Sequence, residues 1–360
     1  MAIKSIDILN VMVFRRDRKQ IAVKEGDQLS EGFHLDFCNG INVLIGENGV
    51  GKTTILKMIY TATQWSNEKT DPGKAKKLLE FFSNNLKDTD KLKNADRKGD
   101  DWYYKVSDGE HIFEDNLAHK GICNSDDWLG LNIQSVFIPS TEMLSHAKGF
   151  LAMNQKYNMP FDGTQIDIIV NASLPETREV PVSCQSLLKE ISDVIDGTVV
   201  QEDDVFYVIK NDGRKVDFSL ESEGFRKLGL LWKLIRNGLL EQGTVLLWDE
   251  PEANLNPELY PLIASILLKL QKNGVQMFIA THSYNFAKYL EIRRYETEQV
   301  LFHNLYQGIS DIPDAMRSDL PSGNIRKAEI DSISAHKMEE LEPNHIMMAD
   351  DQLLDEVYNM

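Results

Sequence analysis

Cysteine is scarce: Cys38, Cys123 and Cys184 are the only three in 360 residues. They stand far apart, form no metal-ligand spacing, and in a reducing compartment would remain ordinary thiols. Long apolar runs are missing too, since no stretch approaches the roughly 20 uninterrupted apolar residues of a membrane helix. A helical bilayer span is excluded. The start, MAIKSIDILN, has no basic segment followed by an apolar run and a small-residue cleavage site, so a cytoplasmic protein is expected. Positive charge is in deficit: 39 Lys and Arg against 56 Asp and Glu give a net charge of −17. The average field therefore opposes DNA and anionic membranes; a local patch for nucleic acid stays open but gains no support from net charge. Neither an internal repeat nor a coiled-coil heptad run is present. What remains, 42% apolar and 26% charged residues, suits a soluble globular protein. At about 100 to 200 residues per domain, the length allows about two domains or one elaborated one.

Residues 3 to 45 alternate short apolar runs (Ile6–Phe14, Ile21–Val23, Phe33–Phe37, Ile41–Ile45) with polar turns, which is strand chemistry. Ile55, Leu56, Ile59 and Tyr60 then share a helical face within Thr53–Ala62. From about 66 to 99, lysines alternate with acids around Leu78, Leu79, Phe82 and Leu86, which predicts a solvated helical insertion. Strand-like pieces return at Trp102–Val106 and Ser135–Ile138. The region of about 143 to 197 shows no clean period up to 185 and contains Pro160, Pro175 and Pro181; irregular helical and loop structure is expected. Beyond Thr198, two strand patterns flank the turn Asn211-Asp212-Gly213. Phe225, Leu228, Leu231, Trp232, Ile235 and Leu239 mark an amphipathic helix ending near Gly243.

The run Thr244-Val245-Leu246-Leu247-Trp248 ends in Asp249-Glu250. A helix follows, with Asn256 placed to cap it and Pro257 at its first position, and stops at Asn273-Gly274. Val275–Ala280 is a further strand, and Thr281-His282-Ser283 comes directly after it. Alternating strands and helices predict a parallel α/β sheet with functional residues at the carboxyl ends of its strands. The remainder, 307–360, reads as a C-terminal tail with a terminal helix over Ile346–Tyr358.

Chemistry concentrates at three places. Gly46-Glu47-Asn48-Gly49-Val50-Gly51-Lys52-Thr53 fits the P-loop pattern G-x-x-x-x-G-K-[ST], with a strand before it and a helix after it. Small residues let backbone N–H groups converge on phosphate, and the helix N-terminus adds positive potential. Lys52 is expected to reach the β- and γ-phosphates, and Thr53 to bind Mg²⁺. Asp249, at the end of a buried strand, is the second expected metal residue; Glu250 is placed to polarise a water for in-line attack. The third place is His282, directly after the neighbouring strand.

These motifs, Gly46–Thr54, Trp248 to Pro257 and Thr281-His282-Ser283, resemble the Walker A, Walker B with D-loop, and switch-histidine motifs of ABC-class ATPases. Within that class they are most similar to stand-alone ATPases related to RecF, SMC proteins and the OLD (overcoming lysogenisation defect) family. The resemblance covers about residues 1 to 306. It implies an ATPase head with a parallel P-loop sheet, an antiparallel N-terminal β subdomain and helical insertions. ATP contacts would fall on Gly46, Asn48, Gly49, Val50, Gly51, Lys52, Thr53 and Thr54, catalysis on Glu250 and His282, and Mg²⁺ on Thr53 and Asp249.

The resemblance also implies a signature motif that completes a second chain's nucleotide site, matched here by Glu221-Ser222-Glu223-Gly224-Phe225. Ser222, Glu223 and Gly224 would act in trans, although the segment departs from the transporter-type Leu-Ser-Gly-Gly-Gln. Where relatives place a Q-loop glutamine, this chain has Ser140-Thr141-Glu142, with Gln134 upstream, and neither receives the role. Arg15 and Arg16 are left between a nucleotide or DNA approach and an exposed strand end. The residues after His282 are too few for the TOPRIM domain of OLD nucleases. Three expectations follow from the resemblance: a homodimer or higher homo-oligomer, an effector protein encoded nearby, and a role in antiphage defence, with RecF-like DNA repair as the alternative.

Overall fold

The computed structural model describes every residue except 1, 15–31, 68–77, 84–87, 96–100, 118–120, 123–126, 158, 296–298, 309–328 and 360. Arg15, Arg16 and the run Ile21–Val23 lie outside the described residues. The first half contains β1 (Ser5–Leu9), β2 (Phe33–Asp36), β3 (Ile41–Gly46), α1 (Lys52–Trp65), β4 (Tyr103–Ser107), β5 (Ile112–Asn116), β6 (Gly121–Ile122) and β7 (Ser135–Ile138). Next come α2 (Phe150–Tyr157), α3 (Gly163–Ala172), α4 (Val182–Ile195), β8 (Gly197–Glu202), β9 (Val205–Lys210), β10 (Lys215–Asp217) and α5 (Glu223–Arg236). The last part holds β11 (Val245–Asp249), α6 (Tyr260–Lys272), β12 (Gln276–Ala280), α7 (Tyr284–Arg293), β13 (Val300–Gly308), β14 (Glu329–Ala335) and α8 (His345–Tyr358).

Three sheets result. The six-stranded one runs β14-β13-β3-β12-β11-β7, parallel throughout except at the β13/β14 edge. Strands β3, β11 and β12 are buried along their whole length, as continuous apolar runs covered on both faces require. Successive residues of β11 divide between two cores. Leu246 and Trp248 pack with α3 to α7, whereas Val245 and Leu247 pack with α1 and the N-terminal sheet. That antiparallel sheet runs β2-β1-β4-β5-β6. The third, β10-β9-β8, turns at Asp212-Gly213 as its sequence predicts, Gly213 having φ +87°.

Helix α1 lies between two sheets and is buried except at Thr53 and Gln64, which are half-buried; its buried residues include Lys57, Thr61 and Thr63 besides the apolar ones. Thr61 and Thr63 hydroxyls donate to the carbonyls of Lys57 and Tyr60 at 2.8 Å each, so the buried polar groups are satisfied within the helix.

Four expectations need correction. The region of about 143 to 197, expected as irregular helix and loop, is more regular than its prolines suggest: α2, α3 and α4 are joined by loops, with Pro160 before α3, Pro175 after it and Pro181 capping α4. A capping box starts α3, the Asp162 carboxylate accepting from the N–H groups of Thr164 and Gln165 while the Gln165 side chain accepts from Asp162 N–H. In the 66–99 stretch the described residues form single 3-10 turns, Leu78–Phe81 and Thr89–Leu92, which bury Leu78, Phe81 and Leu92 and so do not make a solvated helix. Leu86 lies outside the described residues. Helix α5 stops at Arg236, before Leu239, because Gly238 turns the chain at φ +74°. Finally β13 crosses residue 306, and β14 adds residues of the expected tail to the main sheet.

Asp162 also meets Lys57 of α1 at 3.0 Å, with both side chains largely buried. Asp162→Ala removes a cap and strands a buried ammonium. The expected loss is about 2 to 4 kcal/mol of stability, read as a lower denaturant midpoint in chemical unfolding.

Candidate nucleotide site

Parallel register brings the motifs together. Asp249 pairs with Ala280 across β11 and β12, Ala280 with Leu44 across β12 and β3, and Gly46 with Leu305 on β13. The carboxyl ends of three neighbouring strands therefore deliver Gly46, Asp249-Glu250 and Thr281-His282-Ser283 to one edge.

The loop after β3 needs its glycines for two reasons. Gly46 has φ +138°, and a Cβ there would lie 2.1 Å from the Leu305 carbonyl oxygen. Gly51 has φ +99°, and a Cβ would lie 2.4 Å from the Phe14 ring. Val50 is buried and anchors the loop, whereas Glu47, Asn48 and Gly49 are exposed. No side chain caps α1, so its first N–H groups face the loop as donors for an anion. Lys52 folds back to donate to the carbonyls of Gly46 at 2.7 Å and Glu47 at 2.8 Å. Burial pulls its pKa down, against the pull of Glu250, Asp249, Glu252 and Glu47. Thr54 points away from the loop mouth and donates to the Met12 sulfur at 3.7 Å.

Thr53 and Asp249 meet directly, the hydroxyl lying 3.0 and 3.1 Å from the two carboxylate oxygens. Both are hard oxygen ligands, and so small a protein donor set suits Mg²⁺, which keeps waters and takes phosphate oxygens. Burial raises the Asp249 pKa to about 6; the Thr53 hydroxyl opposes this, and Glu250 adds to it. The folded chain thus holds the proton more tightly than the unfolded one, so ionising Asp249 costs stability as pH rises from about 4 to about 6. Asp249→Asn is expected to stabilise the free protein by on the order of 2 kcal/mol at pH 7.5 and by much less at pH 4.5. Melting curves of both proteins at the two pH values check this.

Glu250 adopts φ +49°, unusual for a residue with a side chain, and its N–H donates to the Ala280 carbonyl at 2.8 Å. Its carboxylate lies 3.4 Å from His282 Nδ1. Glu252, nearly buried, accepts from the Thr281 hydroxyl at 2.6 Å and from His282 N–H at 3.2 Å, with His282 Nδ1 at 3.7 Å. Sequence reasoning gave Glu252 no role, although the Glu-Pro-Glu spacing places two acids on one turn. It also passed over Lys227, whose ammonium reaches the same turn from α5. At the loop's outer side His345, the first residue of α8, stands 4.0 Å from Glu47.

The expected signature residues sit elsewhere. Ser222 caps α5, accepting from Phe225 N–H at 3.4 Å; Glu223 accepts from the Asn254 amide at 2.9 Å; and Gly224 packs beside Leu255. Among the described residues, no hydrogen bond or ion pair joins Ser222, Glu223 or Gly224 to Gly46–Thr54 of the same chain. Glu142 is buried, accepts from the N–H groups of Leu144 and Ser145, and lies 3.4 Å from Arg226 of α5. Gln134 precedes β7, and its carbonyl accepts from Val245 N–H at the amino end of β11. The opposite end of the strands from Asp249 is no place for a Q-loop residue.

The fold is an SMC-head, ABC-ATPase-like α/β architecture with a P-loop at the carboxyl edge of its main sheet. The head crystallised as "SmcHead bound to the C-winged helix domain of ScpA" is similar over 94% of this chain and 99% of its own, at 10% identity and TM-score 0.52. An SMC head domain from Thermotoga maritima aligns over 93% and 99% at 16% identity, with TM-score 0.46. Two family models match parts of the sequence: "AAA domain" over residues 6–127, and "AAA domain, putative AbiEii toxin, Type IV TA system" over residues 152–287. In sequence the chain is similar to the DNA replication and repair protein RecF of Streptococcus uberis, 28% identical over 242 residues. That alignment takes in 66% of this chain and 62% of RecF, so the chain spans less than two thirds of that relative's length. Among the described residues, no helix is long and apolar enough to cross a membrane.

Proposed function

We propose that the chain is an ATP-binding and ATP-hydrolysing switch that closes head to head with a second copy around Mg-ATP. One observation carries the reading: Lys52, the Thr53–Asp249 pair and the Glu250–His282 pair stand together at the loop mouth, while among the described residues no hydrogen bond or ion pair joins Ser222, Glu223 or Gly224 to Gly46–Thr54. On this reading each chain carries two halves of a composite site, and two copies complete each other.

In this reading the N–H groups of Asn48 to Thr54 and the start of α1 take the phosphates, and Lys52 exchanges its two carbonyl partners for β- and γ-phosphate oxygens. Thr53 and Asp249 hold Mg²⁺, which neutralises phosphate charge. Glu250 accepts a proton from the attacking water as its oxygen bonds to the γ-phosphorus and the bond to the ADP oxygen breaks. His282 lies beside Glu250 and donates toward the γ-phosphate. Ser222, Glu223 and Gly224 of the second copy contribute a hydroxyl, backbone N–H groups and a helix N-terminus. Phosphate release by the purified protein with Mg-ATP tests hydrolysis, and its complete absence contradicts the reading.

The opening and closing movement is assigned to the control of an effector protein encoded nearby, in antiphage defence. Support for this is the resemblance of the motifs to stand-alone OLD-like ATPases. Recovery of the protein from its native host without any stable protein partner would count against it. A second reading, a RecF-like DNA-binding repair ATPase, is favoured by the 28% identity to RecF and opposed by the net charge of −17. Duplex binding that weakens steeply with salt and changes with ATP would select it.

A further inference from the structure

The first turns of α5 grip the turn that carries Glu250. Asn254, itself at φ +56°, donates to Glu223; Gly224 leaves room for Leu255; and Lys227 donates to the carbonyls of Glu250 at 3.3 Å and of Ala253. Lys227 is only 2% exposed, and its hydrogen bonds go to these two carbonyls. The cost of burying this ammonium is offset in part by the carboxylates of Glu223, Glu252, Glu250 and Asp249 around it, and what its hydrogen bonds fix is the turn from Glu250 to Ala253. Glu250 sits in the left-handed region, its N–H held by Ala280 of β12 and its C=O by Lys227 of α5. Both flanking peptide units are tied down, so the direction of its side chain depends on two separate elements.

We propose that Lys227 is a positioning residue for Glu250, tying the aim of that carboxylate to the helix that begins at Ser222. The inference rests on hydrolysis through Glu250. It makes the α5 end that faces a second copy the same rod that sets the carboxylate in its own chain, so engagement at Ser222 to Gly224 bears on Glu250 through Lys227. Positioning losses of this kind cost about 100-fold in rate without loss of ground-state binding.

The test compares wild type, Lys227→Met and Lys227→Arg in steady-state ATP turnover, with ATP affinity and melting temperature measured alongside. Lys227→Met is expected to lower kcat about 100-fold while KM and ATP affinity stay within about 3-fold. Lys227→Arg is expected to recover much of kcat, since a guanidinium donates to both carbonyls. Should Lys227→Met fail to fold, Lys227→Gln, which keeps a donor but not the reach, is read on the same split. A purely structural lysine would lower the melting temperature and leave kcat per folded molecule unchanged, and that result overturns the proposal. Turnover missing in wild type removes the hydrolytic reading and this one together, whereas active wild type with equally active Lys227→Met removes this one alone.

Discussion

Glu250→Gln is expected to reduce ATP turnover by about 10² to 10⁴-fold while ATP affinity changes by no more than a few-fold. The amide keeps the size and the hydrogen-bonding reach of the carboxylate but accepts no proton. The backbone bond that places residue 250 runs from its N–H to Ala280 and does not involve the side chain, so the turn persists. Removing the charge 3.4 Å from His282 weakens a half-exposed pair of little energetic weight. Stability should therefore move little while kcat falls, a combination that separates loss of the base from loss of the fold. Phosphate release and equilibrium titration with a fluorescent ATP analogue measure the two halves. Near-normal turnover would assign proton transfer to another group, Glu252 being a candidate at 3.7 Å from the same His282 nitrogen.

Lys52→Ala is expected to weaken Mg-ATP binding by about 30- to 1,000-fold, the range for truncating one partner of a buried charge contact. Lys52 is 7% exposed and its ammonium already stands inside the loop, donating to the carbonyls of Gly46 and Glu47. Exchanging two neutral acceptors for anionic phosphate oxygens adds ion–ion attraction to hydrogen bonds whose donor is already charged, and alanine forfeits that gain. The loop itself should survive, because Gly46 and Gly51 are set by their close approach to Leu305 and Phe14 and not by the lysine. Calorimetric titration reads the loss. Unchanged affinity would mean that the phosphates lie elsewhere.

Much of the site's placement is legible in the sequence. A phosphate loop demands glycines at set intervals between an apolar strand and a helix, and an acid ending a buried strand is visible as a hydrophobic run followed by Asp249-Glu250. Both signals are local. Lys227 and Glu252 were illegible because their contacts depend on which strands adjoin and on how α5 crosses the turn at 250–255, a matter of sheet order and not of spacing. The bounds of α2 to α4 were illegible for a different reason: proline counts as a breaker, yet Pro160, Pro175 and Pro181 lie between the helices or at a cap and interrupt none of them. Strand β14, Glu-Ile-Asp-Ser-Ile-Ser-Ala, pairs at the sheet edge with few large apolar groups and so leaves a weak pattern. The near-complete burial of α1 was hidden because its buried threonines and lysine are satisfied locally or through Asp162, which no periodicity reveals.

The account stands most directly on two copies sharing each nucleotide. Light scattering of Glu250→Gln after gel filtration, with and without Mg-ATP, measures this in one experiment. A shift from one chain to two on adding Mg-ATP, lost when Ser222→Arg blocks the second surface, is the predicted result. A mass that stays at one chain with ATP bound would contradict the composite site.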